Sequence, residues 1–139
     1  MKALQNCYLG RAFNPEDING TARDGVALDL ATLRGSSNVM FIYLIGNIAA
    51  NMTALKIQES SDNVTYTDLT GATFTNPTAA GSDNTIGVCF IAGPTKRYLR
   101  ATATGGAGAT LVAGLWVVEN TGEAPNSATE RGVAQQLFA

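Results

Sequence analysis

The stretch KRYLRATATGGAGATLVAGLWVVEN (96–120) decides the fold. Between Lys96 and Thr104 the side chains alternate. Leu99, Ala101 and Ala103 share one face, and Lys96, Tyr98 and Arg100 share the other. A period of two belongs to a β-strand with one covered face. GGAGA (105–109) interrupts the pattern and reads as a hairpin turn. TLVAGLWVVEN (110–120) then resumes as a second strand. Because a strand rather than a helix follows the glycines, no helix N-terminus is there to receive a phosphate.

The same rhythm extends upstream. VALDL (26–30) and MTALKIQES (52–60) alternate, while VMFIYLI (39–45) and TIGVCFIA (85–92) are apolar runs. VTYTDL (64–69) carries the Thr and Tyr that suit a pleated, half-buried surface, and TFT (73–75) reads as a brief edge piece. Turn residues recur about every ten positions, and no helical period appears between 26 and 119. This pattern predicts an all-β chain, an antiparallel β-sandwich (jelly-roll-like) of about eight short strands. Its body spans 25–120, with extended N- and C-terminal arms at 1–24 and 121–139. In the first arm Asn14 could cap a helical turn with Pro15 in its first position. In the second, Ser127 to Glu130 fits a capping box, with Val133, Ala134 and Leu137 at helical spacing. Phe13, Leu137 and Phe138 read as apolar anchors for pockets on a neighbour.

Two strands are greasy on both faces. Met40, Ile42 and Leu44 lie opposite Val39, Phe41, Tyr43 and Ile45. Leu111, Leu115 and Val117 lie opposite Val112, Trp116 and Val118. A sandwich strand needs only one apolar face. Covering the other face of one such strand removes about 150–250 Å² of apolar surface from water, roughly 4–6 kcal/mol before ordering costs. The arms or a neighbouring subunit must supply that cover.

The totals set further bounds. A chain of 139 residues is long enough for one self-sufficient core. Charged residues make up 14% of it, the net charge is −2, and it has no histidine. That composition removes the commonest neutral-pH base and metal ligand, and it opposes extensive nucleic-acid binding. The two cysteines, Cys7 and Cys89, have no metal spacing, and a disulfide between them is not expected. No secretory signal is expected at the start. The longest apolar run, VMFIYLIGNIAA (39–50), is too short to span a bilayer as a helix, so no membrane partner is expected. No catalytic motif appears, and neither an enzymatic activity nor a cofactor is expected.

Two polar segments could carry chemistry. SSDN (60–63) could hold a cation or a sugar, but Asp and Asn side chains at such positions bond their own backbone and reverse the chain. It reads as the turn of a hairpin. KRYLR (96–100) mixes basic and aromatic residues and could stack bases. In an acidic chain it reads instead as a protein contact, with Arg97, Tyr98 and Arg100 as contact residues alongside Trp116.

In order and spacing, QESSDNVTYTDLTGA (58–72), an apolar strand, KRYLRATAT, a glycine-rich turn and LVAGLWVVEN resemble small virion proteins of tailed bacteriophages. Those chains often carry Q-E-S-D-G-x-x-x-x-D and, later, K-R-Y-x-R. The resemblance covers roughly 37–119, and Asp62-Asn63 stands where the pattern has Asp-Gly. It implies a non-enzymatic capsid cement or decoration protein. Such a protein bridges capsomers on the exterior of a phage head and is made in the bacterial host cytoplasm. The implied partners are the major capsid protein and the chain itself, as homodimer or homotrimer. Ser60, Ser61, Asp62 and Tyr66 also resemble the S-x-D-G-x-x-[WY] of carbohydrate-binding β-sandwich modules. Those modules present several aromatics at a sugar platform, whereas this chain has one Trp, in its greasiest strand.

Overall fold

A computed structural model describes residues 7–33 and 38–119. They form nine strands: β1 (Tyr8–Asp17), β2 (Ala22–Asp24), β3 (Leu28–Asp29), β4 (Asn38–Ile48), β5 (Ala54–Ser60), β6 (Thr67–Thr73), β7 (Thr85–Ala92), β8 (Tyr98–Thr104) and β9 (Thr110–Val118). One sheet has the order β1-β9-β4-β7. The other runs β2-β8-β5-β6, with β3 also pairing β8. Every pair is antiparallel. The predicted antiparallel sandwich is therefore present.

The chain switches sheet repeatedly. β4 and β5 lie in different sheets, as do β6 and β7, and β8 and β9. GGAGA is accordingly not a hairpin turn but a crossing from one sheet to the other. Its glycines permit close approach. A Cβ on Gly106 would sit 2.3 Å from the Asn51 carbonyl oxygen, and one on Gly105 2.6 Å from that of Ile18. The crossing is tied down by Gly20 N–H donating to the Gly106 carbonyl at 2.7 Å.

The region 1–24 is not simply an arm. Residues 8–17 make a ten-residue strand at the edge of the first sheet, paired with β9. No helical turn forms at Asn14-Pro15. β1 slips register between Arg11 and Phe13 and again before Glu16. Such bulges, and Pro15, are tolerated on an edge strand: among the described strands β1 pairs with β9 alone, and the Ala12 carbonyl accepts instead from the Val26 N–H at 2.8 Å. The slip also breaks the two-residue rhythm, so consecutive Ala12 and Phe13 are both buried. The predicted C-terminal arm, its helix, and Leu137 and Phe138 lie outside the described residues.

The core fills the space between the sheets. The first sheet contributes Val39, Phe41, Ile45, Ile91, Val112, Trp116 and Val118. The second contributes Leu28, Leu55, Ile57, Leu99, Ala101 and Ala103. Phe41 is the hub, with ring centroids 5.1 Å from Trp116, 5.9 Å from Phe74 and 6.2 Å from Phe13. Gly114 makes room for it. A Cβ there would come within 2.9 Å of the Phe13 ring and 3.1 Å of Phe41.

Candidate protein-interaction surface

The two sheets differ sharply on their outer sides. In the first, the register aligns apolar side chains into rows. Leu9, Val117, Met40 and Phe90 lie side by side across β1, β9, β4 and β7. The next row is Arg11, Leu115, Ile42 and Val88, followed by Ala113, Leu44 and Ile86. These residues occupy alternate positions, facing away from Trp116 and Phe41. Phe90 is 79% exposed and Ile86 67%, and Leu111, Val88 and Leu44 lie between 38% and 45%. The strands that read as apolar on both faces therefore leave their second face uncovered among the described residues.

Depressions mark both ends of this face. One is lined by Pro15, Glu16, Leu44, Ile86 and Leu111. The other is lined by Met40, Phe90, Val117 and Glu119. Leu44, Ile86, Val88, Phe90 and Leu111 thus make a run of exposed large apolar side chains on one face, the kind of contiguous patch that marks an interaction site. Glu16, Asp17 and Glu119 lie toward its ends, and Arg11 is the charge within its rows.

The outer side of the second sheet is polar and internally paired. Arg100 donates to the Gln58 side-chain carbonyl from Nε at 3.0 Å and from a terminal nitrogen at 2.8 Å, and meets Asp24 at 3.0 Å. Its guanidinium also stacks over the Tyr66 ring at 3.9 Å. Lys56 and Gln58 both donate to Asp68, at 2.7 and 2.8 Å, and hold its carboxyl below the usual range. Arg97 grips Asp29 at two points, 2.9 and 2.8 Å, and lies 4.8 Å from the Tyr98 ring.

This geometry revises the contact residues expected from the sequence. Phe13 and Trp116 are 3% and 1% exposed and belong to the core. A partner could not touch them without opening the sandwich. Arg97, Tyr98 and Arg100 are on the surface, but both arginines are engaged within the chain. The residues that sequence reasoning passes over are Ile86, Val88 and Phe90 on β7. Their signal is present in TIGVCFIA, a third strand apolar on both sides, and becomes legible only once β7 is known to flank β4.

The SSDN segment joins β5 to β6, as predicted, and its side chains serve the turn. Ser60 Oγ accepts from the Asn63 N–H at 3.0 Å. Asp62 Oδ1 accepts from the backbone of Val64 and Thr65 at 2.9 and 2.8 Å, and from Ser60 Oγ at 2.8 Å. Those donors push the Asp62 carboxyl down to about 2. Asn63 takes φ of 61°, a left-handed position that suits Gly or Asn, which accounts for the tolerated departure from Asp-Gly. The Tyr66 hydroxyl donates to Asn63, and one ring face is covered by Arg100. Among the described residues no group of three or more acidic, Cys or His side chains is placed to hold a metal ion. No disulfide links Cys7 and Cys89. No helix there is long and apolar enough to cross a membrane.

No protein-family model matches the chain, and no curated protein matches its sequence. Among solved structures the fold is similar to the crystal structure of the PBSX exported protein XepA. The TM-score is 0.58 at 19% sequence identity, over 94% of this chain and 43% of that one. The chain thus spans less than half the length of that neighbour, and the likeness is one of fold.

Proposed function

We propose that this chain is a non-enzymatic structural component of a phage virion. In this reading it is a cement or decoration protein that docks onto the major capsid protein at the outside of the shell. The observation that carries this is the apolar outer face of the β1-β9-β4-β7 sheet. A face holding Phe90, Ile86, Val88, Leu44 and Leu111 has the character of an interface core, and the paired charges of the opposite sheet have the character of a solvated exterior. A two-sided body of this kind can lie with one sheet on a protein lattice and the other toward water. The phage origin of a protein with a similar fold agrees with the reading, as do the virion-like motifs at 58–72 and 96–104. Many copies on one lattice would raise the effective concentration of each contact, so individually weak sites would suffice.

The test is co-sedimentation with capsids assembled from the shell protein of the same phage. Wild-type protein should pellet with the shells, and Ile86→Ser/Phe90→Ser should stay in the supernatant while keeping its near-UV circular dichroism. Wild-type protein that does not pellet, or a folded double variant that pellets equally well, would overturn the proposal. A carbohydrate-binding role finds less support, because the ring of Tyr66 is stacked under Arg100 rather than open on both faces.

A further inference from the structure

Sheets expose edges as well as faces, and an unguarded edge invites another strand. Among the described residues, three of the four sheet edges are guarded. β1 is bulged twice and carries Arg11, Pro15, Glu16 and Asp17. The β2/β3 edge is broken into pieces of three and two residues that bear Arg23, Asp24 and Asp29. β6 holds Asp68, a register shift against β5, and Gly71 at φ 81°.

β7 has none of these devices. It is TIGVCFIA, eight residues with no charge and no proline. Its register with β4 runs unbroken from Asn38↔Ala92 to Ile45↔Thr85, so the strand is long and regular. Its inward-facing Gly87 and Cys89 are only partly buried, as befits an open flank.

We infer that the β7 edge pairs antiparallel with β7 of a second copy of this chain, across a twofold axis perpendicular to the sheet. The sequence is self-complementary in that arrangement. Residues directly opposite each other point to the same face. A register centred on Val88 sets Val88 against the second copy's Val88 and Ile86 against its Phe90. Aromatic and β-branched cross-strand pairs of this kind are favourable. A strand with a central charge would set that charge against itself, and β7 has no charge to oppose. The twofold joins two four-stranded sheets into one of eight strands, with both apolar outer faces on the same side. Two copies then offer one continuous platform, whatever surface it meets.

Sedimentation equilibrium of the full chain at high micromolar concentration tests the pairing. Wild-type protein should have twice the mass of one chain. Val88→Lys, which sets two ammonium groups against each other at the twofold, should sediment at the single-chain mass with unchanged far- and near-UV circular dichroism. Leu111→Lys, on the same face but on β9, should keep the double mass. In a Cys7→Ser/Cys89→Ser background, Val88→Cys should give a disulfide-linked dimer on mild oxidation, and Leu111→Cys should not. A wild-type chain of single mass, or a double mass lost in Leu111→Lys and kept in Val88→Lys, would overturn the edge pairing. The second result would indicate stacking of faces instead. None of these measurements involves a capsid, so failure here leaves the shell-docking reading standing, and the reverse also holds.

Discussion

The guanidinium of Arg100 lies 3.9 Å from the centroid of the Tyr66 ring, and the same side chain bridges Gln58 and Asp24. One residue of β8 thereby ties together β2, β5 and the segment that follows the Ser60–Asn63 turn. Arg100→Ala should lower stability by about 1–2 kcal/mol, since it removes a stacked cation and a forked donor together. Arg100→Lys should recover little of that, because an ammonium lacks the planar fork. A double-mutant cycle with Tyr66→Ala in urea should give a coupling of about 0.5–1 kcal/mol. Additivity of the two single changes would show the stack to be energetically idle.

Acid should loosen the second sheet. The carboxyls of Asp29, Asp62 and Asp68 are all held below their ordinary value of 3.8. Asp29 owes this first to the Arg97 hydrogen bonds, Asp62 to the Val64 and Thr65 amides, and Asp68 to Lys56. A depressed carboxyl binds protons more readily in the unfolded chain. Its stabilisation is therefore complete above the ordinary value and is lost as pH falls through the folded one. For Asp62 that window runs from 3.8 down to about 2. Urea midpoints measured from neutral pH downward should stay level and then fall in this window, modestly because these carboxylates are solvent-screened. Asp62→Asn, which keeps an acceptor oxygen but cannot titrate, should have a shallower fall. An equal fall in that variant would assign the acid sensitivity to the other carboxylates.

Most of the body strands were readable because a covered sheet face imposes a rhythm of two on the chain, as in Leu55/Ile57 and Leu99/Ala101/Ala103. VALDL (26–30), by contrast, keeps only Leu28–Asp29 as strand before a helical turn at Leu30–Thr32, and β6 runs Thr67–Thr73 in place of 64–69 and a separate piece at 73–75. Which strands lie side by side was not readable, because pairing is set by contacts far apart in sequence. The GGAGA crossing shows this: a glycine-rich link between two strands has the same composition whether it returns within a sheet or passes to the other. β1 escaped for a different reason. Its bulges bury Ala12 and Phe13 in succession, and Asn14-Pro15 has the chemistry of a helix start. For the interaction surface, the double greasiness of β4 and β9 was visible. The inward side of β9 is fixed only by the position of Trp116 beside Phe41, and Phe13 reads as an arm's anchor only while β1 goes unrecognised as a strand.

Their burial makes a separate prediction. Trp116→Ala and Phe13→Ala should each cost about 3–5 kcal/mol, the usual range for emptying a large aromatic site in a core. Gly114→Ala should also destabilise, because Phe13 and Phe41 must both give way. Chemical denaturation followed by the fluorescence of the one Trp reads the Phe13 and Gly114 variants, and circular dichroism reads Trp116→Ala. A loss under 1 kcal/mol for Phe13→Ala would mean that β1 is not anchored in the core as described.

Phe90 and Ile86 should behave in the opposite way. Each is more than two-thirds or close to two-thirds exposed, at 79% and 67%. Truncating either in the isolated chain therefore removes little buried surface, and surface changes of this kind usually stay within about 0.5 kcal/mol. Their cost should fall on association instead. At protein concentrations low enough to keep the chain single, the uncovered face should bind the dye ANS in the wild-type protein, and Ile86→Ser/Phe90→Ser should bind distinctly less at an unchanged denaturation midpoint. The two readouts separate a surface role from a core role. If the midpoint falls as it does for Phe13→Ala, these side chains are covered by the chain itself in solution. If midpoint and dye binding both stay at wild-type levels, the apolar rows are not the sticky surface that their exposure indicates.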